Sequence, residues 1–161
     1  MSSPSVARAH VYTTPASALD SARFIAASLL VSHGLRPYAL AAARVGDRWV
    51  IARGDRVRHL RPDEDSLEGW IRAVLRGSPL GALVAPALPE SPRPVVCIDE
   101  SGRDAMLALL EIGEPVTLTY GASLELCDYR LRVGLELPAF LQAAIANVLL
   151  DNWRALRRAR L

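Results

Sequence analysis

Three features of this sequence carry chemistry. The first is Asp20, in a stretch, residues 14–32, whose only other charge is Arg23. A carboxylate in such surroundings can accept a proton from a bound substrate or fix its ring. It equally suits the first turn of a helix, where the macrodipole favours negative charge. The second feature is a pair of apolar segments that each run into a glycine, one ending at Gly121-Ala122-Ser123 and the other at Gly134. Two strands ending this way bring bare backbone to one edge of a sheet, where N–H and C=O groups can hold a small polar ligand. The third is Arg53, Arg56, Arg58 and Arg61 with His59 among them, either a phosphate-contacting rim or an edge strand kept soluble by charge.

These residues need elements to hold them. Residues 10–13 suit a short strand. Thr14-Pro15 then opens a helix, with Thr14 as N-cap and Pro15 at the first helical position. Leu19, Ala22, Ile25, Ala26, Leu29 and Leu30 keep the helical period to about Ser32, and Gly34 closes the helix. A helix so poor in charge is expected to be buried or to lie in a subunit interface. Residues 38–44 and 48–53 flank Gly46-Asp47 as a hairpin, and residues 57–60 suit a further strand. Asp65 and Glu68 have capping-box spacing, and Leu67, Trp70, Ile71, Val74 and Leu75 form one apolar helical face ending near Gly77. Residues 78–94 hold five prolines and read as a connector with a short strand at 80–84. Residues 95–98 suit a buried strand, and 103–112 a short helix capped by Gly113. A long apolar helix ends the stretch after Gly134. Strands separated by helices imply an α/β layer with at least part of the sheet parallel.

The whole is one domain of 161 residues, 51% hydrophobic and 22% charged, which excludes a disordered chain. No apolar run reaches membrane-spanning length, and the first ten residues lack a signal-peptide core, so a cytoplasmic protein is expected. The net charge of +2 is too small to imply nucleic acid by itself. All 19 basic residues are Arg, which suits bidentate phosphate contacts, although a GC-rich genome also accounts for it. Cys97 and Cys127 have no CxxC pattern and no His at ligand spacing. Neither zinc nor a disulfide is expected, and both cysteines are read as small apolar residues in or beside strands.

In their order along the chain these segments resemble one family. Leu19-Asp20 followed by Ser32-His33-Gly34-Leu35-Arg36, then Arg61-Pro62-Asp63-Glu64, then Cys97 to Asp104, then Asn147-Val148-Leu149, are similar to the archaeal tRNA pseudouridine-54 N1-methyltransferases, SPOUT-class enzymes that use S-adenosylmethionine. The resemblance covers roughly residues 18–151. It implies an α/β SPOUT domain over residues 1–161 with a C-terminal trefoil knot at about 115–150, and true knots are exceptional. It also implies a turn after Gly102 and a less regular link to Pro115, in place of the helix read above. Tyr120, Gly121, Ala122, Val133 and Gly134 would hold S-adenosylmethionine through backbone atoms. Asp20 would act at pseudouridine N1, and Arg36, Arg58 and Arg61 would contact tRNA. A homodimer is implied, with residues 16–32 and 138–149 as the interface helices, and neither metal nor membrane. The chain departs from the family pattern where Tyr120-Gly121-Ala122-Ser123 lacks an Asp and a His, where Gly134 has no Pro after it, and where Phe140-Leu141 replaces a His-Cys pair. Those losses motivate a second reading, a non-catalytic RNA-binding dimer without cofactor. A ribosomal-RNA pseudouridine N1-methyltransferase is a third.

Overall fold

The structure, a computed structural model, describes residues 5–32, 34–121, 127–134 and 136–159. In chain order the elements are β1 (Arg8–Tyr12), α1 (Ala18–Leu29), β2 (Leu30–Val31), β3 (Gly34–Leu35), β4 (Ala39–Val45), β5 (Arg48–Arg53), α2 (Glu64–Leu75), β6 (Ala82–Ala85), β7 (Val95–Asp104), α3 (Ala105–Ile112), β8 (Val116–Tyr120), β9 (Tyr129–Arg132) and α4 (Ala139–Ala159). Seven strands form one sheet in the order β6-β5-β4-β1-β8-β7-β9. The run from β4 to β9 is parallel throughout, and β5 and β6 add antiparallel at one edge. The expected α/β layer with a largely parallel sheet is therefore present. The chain path that would decide a knot passes through residues 122–126 and 135, which lie outside the described residues.

Strand period two splits the side chains between two unlike faces. Arg8, His10 and Tyr12 of β1, and Val116, Leu118 and Tyr120 of β8, point the same way as the core that contains residues of all four helices. On the other face Ala9, Val11, Leu40, Ala42, Trp49 and Ile51 form a second cluster that contains no helical residue. It is covered by Val6, Ala85 and Leu88, that is, by the start of the chain, β6 and the proline-rich connector.

Several boundaries differ from expectation. Ser17, not Thr14, caps α1, because its hydroxyl accepts from the Asp20 N–H at 3.0 Å while Asp20 accepts from the Ala16 N–H at 2.9 Å. These two bonds hold residues 14–17 as a turn. The helix stops at Leu29, whose carbonyl accepts from Arg36 N–H, and the next residues pair as the small β2–β3 hairpin. Asp63, not Asp65, caps α2 by accepting from Ser66 N–H at 3.0 Å. Residues 57–60 are not a strand. Arg58 donates its N–H to Leu80 O at 2.8 Å and its carbonyl accepts from the Trp70 indole at 3.0 Å, so both groups serve elements other than the sheet. The short helix read from the residues after Gly102 is real as α3, capped by Asp104 and closed by Gly113 at φ 62. The irregular link implied by the family resemblance is corrected accordingly. Cys97 and Cys127 are joined in a disulfide, contrary to expectation, because β9 lies beside β7 and brings residues 30 apart in sequence to a Cα separation of 5.7 Å.

Candidate functional site

The C-terminal ends of β1, β8 and β9 share one edge with the irregular middle of β7. Tyr12 pairs with Tyr120, Cys97 with Thr119, and Ile98 with Leu131, and the register of β7 against β9 shifts between Ile98 and Arg103. A cavity of about 190 Å³ opens at this edge, lined by Ile98, Asp99, Glu100, Gly121, Arg132, Val133, Gly134 and Gln142. It holds three of the five residues expected to bind cofactor. Tyr120 lies directly behind it, fully buried. Ala122 lies outside the described residues.

The glycines have physical reasons to be glycine. Gly121 has φ +85, and a Cβ there would strike the hydroxyls of Thr13 and Thr14. Gly134 has φ +53, and its Cβ would strike Leu137. Both positions disfavour a side chain through conformation and through space. Gln142, at the start of α4, fixes the second turn by donating to Val133 O at 3.1 Å and to Gly134 O at 3.4 Å. Sequence reading missed Gln142, which no motif marks. The Tyr120 carbonyl is also occupied, accepting from Thr13 N–H at 3.0 Å and from the Thr13 hydroxyl at 3.2 Å. Several backbone acceptors of this edge thus have internal partners.

Asp20 sits at the same edge, half-buried in the first turn of α1, outside the cavity lining. The Tyr12 hydroxyl donates to its Oδ2 at 2.8 Å, and Ala16 N–H donates to the same oxygen. Burial, reinforced by the hydrogen bond to Asp20 and its charge, pushes the Tyr12 phenol up, so Tyr12 stays a donor. Both of these bonds fall on Oδ2. Among the described residues Oδ1 accepts no hydrogen bond, which leaves it to meet an incoming N–H.

Behind the edge runs a polar network that sequence reading did not foresee. Asn147 of α4 donates to Ala27 O at 2.9 Å and Ser28 O at 3.0 Å, which fixes its amide orientation. Its Oδ1 then accepts from Arg8 Nη1 at 2.8 Å and lies 2.9 Å from His10 Nε2. His10 must therefore carry its proton on Nε2, leaving Nδ1 to accept from the Tyr120 hydroxyl at 2.9 Å. Burial first, then the Arg8 charge, push His10 down to about 3. Arg8, fully buried, is held by Glu114 at 3.1 Å and Asp151 at 2.8 Å. Burial pushes the Asp151 carboxyl up, but hydrogen bonds from Arg36 and Arg8 outweigh this and hold it below the usual range.

Of the arginines expected to touch RNA, Arg58 and Arg61 are exposed on the loop between β5 and α2. Arg36 is buried, with its guanidinium on Asp151 at 2.9 Å and on Leu30 O. It acts as a brace between β3 and α4 and presents no face to a phosphate. Among the described residues no group of His, Cys, Asp and Glu has the arrangement of a metal site, and no helix is long and apolar enough to cross a membrane. Comparison of the chain with known protein families and with curated proteins finds no match to either.

Proposed function

We propose that the protein is an S-adenosylmethionine-dependent RNA methyltransferase of SPOUT type, acting on N1 of pseudouridine, with tRNA position 54 as the substrate. The observation that carries this reading is the meeting, at one end of a parallel sheet, of two left-handed glycine turns and a carboxylate with one open oxygen. The strand order, in which β8 inserts between β1 and β7 and the chain then crosses outward to β9, is compatible with the proposed C-terminal knot.

The cradle fits part of the cofactor. Its glycine turns accept a flat group against bare backbone. At about 190 Å³ it is smaller than the roughly 300–1,000 Å³ of sites that enclose a whole drug-sized ligand. The rest of the molecule then needs a second surface, which a second copy of the chain supplies. Leu141, Ile145 and Val148 lie exposed along α4, and beside them an apolar hollow of about 930 Å³ runs between α1, α2 and α4. We place the homodimer interface there.

S-adenosylmethionine supplies an electrophilic methyl group on its sulfonium. The chain's own residues do the remainder. The turns at Gly121 and Gly134 fix the ligand's position, which matters more for methyl transfer than acid–base power. Asp20 Oδ1 accepts the N1 proton of the base, while Tyr12 and Ala16 hold the carboxylate in place. Arg58 and Arg61 bind backbone phosphates. A cytoplasmic location follows from such a substrate.

The test is calorimetric titration with S-adenosylmethionine, followed by incubation with tRNA containing pseudouridine-54. Saturable binding and N1-methylpseudouridine by mass spectrometry are expected. Binding without methylation of this tRNA, but with methylation of ribosomal RNA, moves the substrate. Failure to bind the cofactor, alone or with RNA, while RNA binding persists, leaves the non-catalytic dimer. That second reading has its own support in the occupied carbonyls of Tyr120, Val133 and Gly134.

A further inference from the structure

A different cavity lies on the other face of the sheet, where the described residues place no helix in the buried cluster. Its volume is about 460 Å³, within the roughly 300–1,000 Å³ of small-molecule sites. Val11, Thr117, Thr119 and Cys97 form part of its floor, and the proline-rich connector, including Glu90 and Arg93, forms its roof. Strand period fixes the floor: Val96 and Ile98 belong to the helix-side core, so Cys97 between them faces the cavity. Cys97 is bonded to Cys127 and is only 4% exposed. A macromolecule has no approach to it there, whereas a ligand of cavity size meets the wall to which Cys97 contributes. The roof carries one charge of each sign, and neither Glu90 nor Arg93 has an ion-pair partner among the described residues.

We propose that this cavity is a thiol–disulfide exchange site for a small zwitterionic thiol of the amino-acid or short-peptide class, with Cys97 as the sulfur it modifies. The ligand's ammonium group meets Glu90, its carboxylate meets Arg93, and its thiolate meets Cys97 Sγ. The thiolate electron pair forms a new S–S bond to Cys97 as the Cys97–Cys127 bond breaks. The electron pair of that bond leaves on Cys127 Sγ, which takes a proton from water. A second ligand thiolate then attacks the ligand sulfur of the mixed disulfide. Cys97 leaves as thiolate and is protonated, and the ligand departs as its symmetric disulfide. In sum two ligand thiols are oxidised, and the protein disulfide is reduced by two electrons and two protons.

The fold tolerates this step. β9 is tied to β7 independently, through Val95 N–H to the Asp128 carboxylate at 2.7 Å, Asp128 N–H to Val95 O at 2.9 Å, and the Asp99–Arg130 ion pair at 2.9 Å. Reduction therefore leaves strand pairing in place, and exchange can be reversible. The site is separate from the proposed methyl-transfer edge and stands or falls without it.

The test uses the full oxidised chain with three probes: glutathione, neutral 2-mercaptoethanol, and a thiol-terminated polyethylene glycol too large for the cavity. Adducts are trapped with acid and mapped by peptide mass spectrometry. Glutathione is expected on Cys97, about tenfold faster than the polymer thiol, since access limits exchange. The exposed double variant Glu90→Ala/Arg93→Ala is expected to slow glutathione about three- to fivefold, the size of two surface ion pairs, and to leave 2-mercaptoethanol unchanged. Adducts on Cys127, equal rates for polymer and tripeptide, or a double variant that slows both small thiols alike or neither would each overturn the proposal. So would a purified chain that keeps both thiols in air.

Discussion

The sharpest chemistry rests on two side chains with opposite degrees of freedom. Asp20 has one oxygen held by Tyr12 and Ala16 and one without a hydrogen-bond partner among the described residues. Asp20→Asn keeps the shape and removes the proposed base, so on the methyltransferase proposal we expect methylation to fall by about 100-fold or more, as for loss of a positioned general base, with the thermal midpoint little changed. Full activity in that variant removes Asp20 from the chemistry. Tyr12→Phe is expected to cost about 1–3 kcal/mol of stability, the range for removing a partly buried hydrogen bond to a charged group. Asn147, by contrast, has no spare capacity, since its amide bridges α1, β1 and α4. His10 beside it is neutral in the fold, with its pKa lowered to about 3. In the unfolded chain it takes a proton below its ordinary value of 6.5. Above that value His10 contributes no pH dependence; between there and about 3 the unfolded state binds the extra proton, so stability falls as pH falls. The slope is about 1.4 kcal/mol per pH unit for this one group. Urea midpoints at neutral pH and near pH 5 are expected to separate more in the wild type than in His10→Gln.

Among the elements, α4 and the loop before α2 carry the assembly and RNA predictions. Ile145 and Val148 are 37% and 59% exposed on a helix whose other face is core. Ile145→Glu is expected to convert dimer to monomer in light scattering without unfolding the chain, because the side chain faces outward. A wild-type monomer at working concentration removes the interface proposal. Arg58→Ala with Arg61→Ala is expected to weaken RNA binding whatever the sequence, and to lower the slope of log affinity against log salt by about two. At this scale the sequence was informative where local chemistry decides the outcome. Apolar spacing found α1, α2 and α4, and two strands, β8 and β9, do end just before the glycines at 121 and 134. It failed where distant groups compete for the backbone. Residues 57–60 look like a strand, but Leu80 and Trp70 take the groups a strand would need. Arg36 looks like a phosphate contact, but Asp151, far along the chain, claims it.

The molecule as a whole is a sheet with helices on one face and a strap of connector on the other. That asymmetry was not readable from the sequence, because alternation along β1 places Arg8 and His10 on the buried helical side, where hydrophobic patterning would never put them. The disulfide was unreadable for a similar reason: only the outward crossing to β9 makes Cys97 and Cys127 neighbours. With the cysteines 30 positions apart in sequence, reduction is expected to lower unfolding free energy by about 3–4 kcal/mol in the chain-entropy account. Paired denaturation curves with and without reductant measure it, and coincident curves mean the bond does not constrain the unfolded chain. The central place of β1 has a further consequence. β1 must wait for β8 before its second edge is paired, and its Arg8 and His10 wait longer, for Asn147 and Asp151. Non-local pairing of this kind slows folding. A nascent chain stalled short of Asn147 is therefore expected to stay open to protease along its whole length. Protection should arrive in one step once that residue has cleared the exit tunnel.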